Sequence, residues 1–316
     1  MGRLEDLLAF ARVVDARSFS GAARKLGSSK SMLSKQVARL EGELGARLLH
    51  RTTRSISATA EGQRVHERAL RLLEDAQALE DELAHHGEPS GVLRLSVSTA
   101  FGNLQATRLL TGFCARHPRV HVVLGLNDRY VDLAEESFDM VLRLTSQPSP
   151  GLVARKLADV RYLPCASPAY LTEHGRPRKP ADLERHRCLR FGQLHSPEPW
   201  CFRHASLGEA QVQASGSLRL ESGLTANSSE SLRVAALAGM GIAVLPTYAV
   251  GDDLREGRLV PVLPNWQPLG GNANAHTLYA GYLPSRQPSP KVRALIDHLL
   301  VELGTVPPWD RGLKLR

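Results

Sequence analysis

Between Ala60 and His86 the chain contains no proline and a single glycine, Gly62. Along that stretch Val65, Ala69, Leu72, Ala76, Leu79 and Leu83 recur at alternating steps of four and three residues. Such a narrow line is the seam along which two helices pack, whereas a helix sunk in a globule carries a broader apolar stripe. A homodimer through the 60–86 helix is therefore expected. The alternative is a core helix of the chain's own fold, for which the run is long. Gly87-Glu88-Pro89-Ser90-Gly91 breaks the pattern and marks a domain boundary. The 316 residues, enough for about two domains, thus divide into a head at 1–59, a linker at 60–88 and a body from residue 89.

Charge follows the same division. The formal net charge is +8, but the head holds eleven Lys or Arg against five Asp or Glu, the linker three against eight, and the remainder twenty-six against nineteen. A small basic module on a larger body is the footprint of nucleic-acid binding, driven by release of phosphate counterions, although a well-solvated surface gives the same count. The acidic flank of the linker (Glu74, Asp75, Glu80, Asp81, Glu82) keeps that helix off DNA.

Periodicity in the head favours DNA. Leu4, Leu7, Leu8, Ala11 and Val14 form one helical stripe, and Phe19, Ala22, Ala23 and Leu26 a second, with Ser18 as N-cap and Gly27 as stop. After Ser28 and Ser29 a third stripe follows, Leu33, Val37, Leu40 and Leu44, closed by Gly45. Two short helices about a tight turn make a helix-turn-helix, whose second helix enters the major groove. Lys30, Ser31, Ser34 and Lys35 fall on the outward face of that helix, and with Ser29 they are the candidates for base and phosphate contact; one of Ser28 to Ser31 is expected to cap instead. Leu48 to Thr59 reads as a two-stranded wing, in which Arg51 and Arg54 meet the DNA backbone or minor groove unless the hairpin is simply solvated.

These residues carry a family resemblance. Phe19-Ser20-Gly21-Ala22-Ala23-Arg24-Lys25-Leu26, Leu33-Ser34-Lys35-Gln36-Val37-Ala38-Arg39-Leu40-Glu41, Leu44-Gly45-Ala46-Arg47-Leu48-Leu49-His50-Arg51-Thr52-Thr53-Arg54 and Thr59-Ala60-Glu61-Gly62 together resemble the winged helix-turn-helix of LysR-type transcriptional regulators over nearly all of the first 62 residues. Many members carry Gln-Pro where this chain has Lys30-Ser31, a departure that bears on base contacts and leaves the fold untouched.

In the body, strand and helix patterns alternate: strands at Val92 to Val97, Val120 to Leu126 and Asp139 to Leu144, helices at Gly102 to Arg116 and Tyr130 to Ser137. An α/β domain with parallel strands is expected, its ligands beyond their carboxyl ends. A second unit spans about Leu163 to Pro264, with helices at Pro168 to His174 and Ser228 to Ala238 and a strand at Ile242 to Leu245; His276 to Leu283 and Lys291 to Leu303 then return to the first. The expected fold class is α/β: a winged helix-turn-helix, a long linker helix and a two-lobed effector domain at 89–303, with lobe I at 91–163 and 265–303 and lobe II at 164–264. Two such lobes resemble periplasmic solute-binding proteins and the effector domain of LysR-type regulators. That likeness continues through Ala235 to Pro246 and Gly257-Arg258-Leu259-Val260, so it covers roughly residues 3–303.

Strand ends supply the candidate effector residues. Ser98, Thr99 and Phe101 follow the first strand and are expected to present free backbone N–H groups, Asn127 and Asp128 end the second, Arg143 ends the third, and Asn227 with Ser228 and Ser229 opens a helix of the second lobe. Helix capping is an equal reading of Ser98, Thr99 and Ser229, and Arg143 can equally be salt-bridged. If Arg143 faces the cleft, a small-molecule effector bearing a carboxylate, an organic acid, is expected. The resemblance implies homotetramers that bend double-stranded promoter DNA, with the effector shifting the population of lobe arrangements.

No GxSxG, HExxH or GxxxxGK[ST] motif is present, and Gly239-Met240-Gly241 lacks the third glycine of a dinucleotide loop, so neither an enzyme nor a cofactor is expected. His85-His86 has no partner at metal spacing, and no metal site is expected. Cys114, Cys165, Cys188 and Cys201 are far apart, which suits reduced cytosolic thiols; a redox-sensing regulator that joins Cys188 to Cys201 is the alternative. No run of about 18 apolar residues predicts a membrane span, and Arg3, Glu5 and Asp6 argue against a secretory signal, so a cytoplasmic protein is expected. Residues 304–316 have no periodicity and read as a loosely held tail containing Trp309.

Overall fold

A computed structural model describes residues 2–51, 56–84, 88–133, 136–192, 200–204, 206–212, 223–269, 277–284 and 288–313. The chain forms two compact units, one chiefly the chain up to Val92 and the other chiefly the chain from Leu93.

The first unit contains α1 (Gly2–Ala16), α2 (Phe19–Leu26), α3 (Lys30–Leu44), the antiparallel strands β1 (Leu49–Arg51) and β2 (Ile56–Ala58), and α4 (Ala60–Ala84). Local chemistry sets the helix ends. Ser18 Oγ accepts from Gly21 N–H at 3.2 Å, and Gly27 and Gly45 take the left-handed conformation at φ 60° and 63° that other residues adopt only at a cost. The buried face of α1 is rotated from the expected one. Asp6, Ala9, Phe10, Ala11 and Val13 are buried, while Leu4 is exposed. Asp6 turns inward because the Arg39 guanidinium of α3 grips it with two bonds of 2.6 and 2.5 Å, so the buried carboxylate is paired. Ala9, Phe10 and Val13 then meet Phe19, Ala22, Leu33, Val37, Leu40 and Leu48 in one core.

The seam of α4 divides. Val65 packs on that core and Ala69 is buried, whereas Leu72 is 49% exposed and Ala76 is exposed. Leu79 and Leu83 lie outside the residues whose side chains are described.

The second unit is built on two five-stranded sheets. In chain order it contains β3 (Gly91–Val97), the short helix α5 (Thr99–Phe101), a π-helical turn (Gly102–Ala106), α6 (Thr107–Arg116), β4 (Val120–Leu126), β5 (Met140–Thr145), β6 (Val153–Asp159), β7 (Tyr162–Ala166), α7 (Pro168–His174), β8 (Cys188–Phe191), β9 (Trp200–His204), β10 (Gly208–Val212), β11 (Thr225–Ala226), α8 (Ser229–Leu237), β12 (Ile242–Pro246), α9 (Thr247–Arg255), β13 (Val260–Pro261), β14 (Trp266–Leu269), β15 (Thr277–Tyr282) and α10 (Pro290–Leu303). The first sheet runs β4-β3-β5-β15-β6 and the second β11-β8-β12-β7-β13. Parallel pairing holds for β3 with β5, β8 with β11 and β8 with β12. The all-parallel expectation fails at the crossovers: β15 is antiparallel to both β5 and β6, and β7 to β12 and β13, because strands that carry the chain between lobes run against their neighbours.

Three further expectations change. No helix forms over residues 130–133 or 136–137: Val131 and Leu133 are both buried with Val141, and a spacing of two puts them on one side of an extended chain. Trp266–Leu269 pairs with β9, and Trp266 packs on the core of Tyr170, Cys188, Phe202 and Ile242, so re-entry into the first lobe comes after residue 269 instead of at 265. Residues 304–313 are not loose. Pro308–Asp310 forms a 3-10 turn, and Trp309 is 2% exposed.

Candidate DNA-binding and effector sites

The head presents the entry of α3. Ser29 is the N-cap: its Oγ accepts Met32 N–H at 3.1 Å and lies 3.2 Å from Ser31 Oγ. Lys30, Ser31 and Lys35 are exposed, and Ser34 is half-buried. No acidic residue stands in the first turn, so the positive end of the helix and both ammonium groups act in the same direction. Behind α3, Glu41 Oε1 accepts both Leu48 N–H and Leu49 N–H, at 2.9 and 3.2 Å, and so ties the helix to the start of the wing. The side chain of Arg51, and Arg54 altogether, lie outside the described residues. Sequence reasoning missed Arg39 and Glu41 as the residues that fix α3 against α1 and β1.

In the second unit the strand-end residues separate into groups. Thr99 N–H donates to Asp128 Oδ1 at 2.8 Å, so this backbone donor, expected to be free, is already taken by a carboxylate. Asn127 N–H donates to Val97 O and joins the ends of β4 and β3. Arg143 is half-buried, with Nη2 donating to Ser96 Oγ at 2.8 Å and Nη1 to Leu142 O at 3.2 Å. Ser98 stands two residues beyond Ser96, and its buried Oγ has no hydrogen-bond partner among the described residues. Phe101 is fully buried and meets Tyr248 edge-on, with ring centroids 5.3 Å apart. Ser229 is buried and hydrogen-bonds the Tyr248 hydroxyl; burial, the largest effect, and the Asp128 charge hold that phenol above its ordinary pKa and therefore neutral. Asn227 is exposed, and the N-cap of α8 is Ser228, whose Oγ accepts Ser231 N–H at 3.3 Å.

Tyr248, Gln105 and Trp309 were not singled out from sequence. Gln105 Nε2, in the π turn, donates to Tyr248 O at 2.7 Å and links the helix after β3 to the helix after β12. Tyr248 stands two residues beyond Pro246, the end of β12, so the strand-end rule applied to β12 would have found it.

None of Cys114, Cys165, Cys188 and Cys201 is in a disulfide. Burial pushes the thiols of Cys165 and Cys188 up to about 12, the reverse of what a reactive thiol needs. Cys188 lies in β8 and Cys201 in β9, strands of different sheets. In native protein a thiol reagent is expected to modify exposed Cys114 first and to reach Cys165 and Cys188 only in denaturant; rapid native labelling of Cys188 would favour the redox alternative.

Among the described residues no group of three or more His, Cys, Asp or Glu could hold a metal ion, and no helix is long and apolar enough to cross a membrane.

Comparison with known proteins matches residues 4–63 to the bacterial regulatory helix-turn-helix protein of the lysR family and residues 86–304 to the LysR substrate binding domain. The chain is 36% identical to the probable HTH-type transcriptional regulator LtrA of Klebsiella pneumoniae, covering 98% of this chain and 96% of that protein. It is also 36% identical to the HTH-type transcriptional regulator CrgA of Neisseria meningitidis serogroup C, over 95% and 97%. The solved structure of CrgA from Neisseria meningitidis, a LysR-type transcriptional regulator, superposes with a TM-score of 0.59 at 34% identity, over 95% of this chain and 99% of that one. Full-length AphB from Vibrio cholerae gives 0.57 at 25% identity, over 94% and 98%.

Proposed function

Since the chain belongs to the LysR family of DNA-binding transcriptional regulators, with a helix-turn-helix head and an effector-binding domain, we propose that it answers to a small organic acid bound where β3 and β5 end. The observation that carries this reading is the buried, unpartnered Ser98 Oγ beside the Arg143–Ser96 pair. A buried hydroxyl without a partner costs about 1–3 kcal/mol, and a carboxylate accepting from Ser98 and Arg143 would relieve that cost. Asp128 already holds Thr99 N–H, so the effector's second polar group is a donor facing this carboxylate; a hydroxy or amino acid meets both demands. Asn127, Asn227 and Ser229 are the further candidate contacts in this reading, and fully buried Phe101 supports the site by packing on Tyr248.

In the same reading Ser29, Lys30, Ser31, Ser34, Lys35, Arg51 and Arg54 hold promoter DNA. The exposed half of α4, with Leu72 and Ala76, takes a second copy of the chain, and dimers pair into homotetramers in the cytoplasm. An acid that prefers one lobe arrangement shifts that population, and with it the spacing of the heads.

The test is a thermal-shift series of hydroxy acids, amino acids and their neutral amides on the full-length protein. An acid at 100 times its Kd adds about 2.7 kcal/mol, a rise of several degrees. Arg143→Gln is expected to abolish the rise and any effect of that acid on the footprint over the protein's own upstream region. Equal shifts from the neutral amides would overturn the carboxylate assignment.

A further inference from the structure

One large apolar side chain stands in the open at the entry of α3. Met32 is 55% exposed, one residue after Ser31 and three before Lys35, both exposed. The helix does not need it for packing: Leu33, Val37 and Leu40 form its buried face. Leaving so large an apolar surface in water, on a helix entry that also carries exposed Lys30 and Lys35, is unfavourable unless something covers it.

The two hydroxyls that flank Lys30 are already engaged. Ser29 Oγ accepts the Met32 N–H, and Ser31 Oγ is bonded to Ser29 Oγ. Lys30 and Lys35 bring charge, which positions a protein on phosphates but does not by itself select a base. Met32 can select a base without a hydrogen bond, because the major groove displays one apolar feature, the C5-methyl group of thymine. Its unbranched thioether adapts readily to such a surface.

We propose that Met32 is a specificity-determining residue that packs on a thymine methyl group in the major groove. The proposal rests on α3 being the helix that reads DNA.

The experiment begins with duplexes selected from a random pool by the purified full-length protein, resynthesised with deoxyuridine in place of each thymidine in turn. Each replacement removes one methyl group and leaves pairing and charge unchanged. At one thymine per half-site the wild-type protein is expected to lose roughly fourfold in affinity, the factor for one buried methyl-sized group. Met32→Ala should bind the thymine and uracil forms of that duplex alike, and Met32→Leu should restore the difference. The salt dependence of affinity should be the same in all three, because no phosphate contact changes. A wild type indifferent to every replacement, or a Met32→Ala protein that keeps the wild-type pattern, overturns the role of Met32 and leaves α3 as the reading helix. A pool in which no sequence is enriched overturns both.

Discussion

Replacing Trp309 by alanine is expected to destabilise the effector-binding domain by about 3–5 kcal/mol, the range for removing a large buried aromatic side chain, and to lower its melting temperature by on the order of 10 °C. The indole packs edge-on against Phe101 at 5.7 Å and Tyr248 at 6.4 Å, and so touches the helix after β3 and the helix after β12 at once. Backbone contacts hold it there. Arg255 Nη1 donates to both Trp309 O and Arg311 O at 3.1 Å, and Gly251 leaves room, since a Cβ there would lie 2.4 Å from Trp309 O. Burial raises the Asp310 carboxyl pKa despite Arg161 and Arg255 nearby, so whatever it adds is fully present below its ordinary pKa and is lost as pH rises through the raised one. Trp309→Phe should recover most of the loss, and truncation after Val306 should reproduce it. A Trp309→Ala protein that melts with the wild type would show that the indole carries no such weight.

The tail also shows where sequence reasoning stops. Nothing in Gly304 to Arg316 repeats, and the contacts that bury Trp309 come from residues more than 50 positions away, so neither period nor capping chemistry could place it. Features that depend on a few adjacent residues were legible: Ser18 as a cap, a second cap somewhere in Ser28 to Ser31, Gly27 and Gly45 as stops, the β1–β2 wing. The face of α1 was not, because an apolar stripe cannot anticipate that Asp6 is neutralised by Arg39 33 residues on. The candidate effector site lies between these cases. Strand ends pointed to Ser98, Asp128 and Arg143, but that Asp128 takes the Thr99 N–H depends on two loops meeting, and Tyr248 was passed over although it follows a strand end of the same kind.

A comparable loss is expected in the head from the smallest change available, Gly62→Ala. In an ordinary helix this substitution stabilises by about 1 kcal/mol. Here the added Cβ would lie 2.0 Å from Leu48 O and 2.9 Å from Leu48 C, backbone atoms that cannot rotate away. Nor can the strand yield. Leu48 O accepts Thr59 N–H at 2.9 Å, Leu48 N–H is held by Glu41, and Thr59 Oγ1 both donates to Arg47 O at 2.8 Å and accepts Gly62 N–H at 2.9 Å. The sign therefore reverses, and the cost reaches about 3 kcal/mol, the upper end for overpacking that moves backbone. Because these bonds join the start of α4 to the wing, the variant should lose sequence-selective DNA binding in a gel shift while the effector-binding domain melts unchanged. Retained binding at wild-type affinity would mean that the first turn of α4 can swing away from Leu48 at little cost, and that Thr59 and Glu41 do not hold the wing as rigidly as their bonds imply.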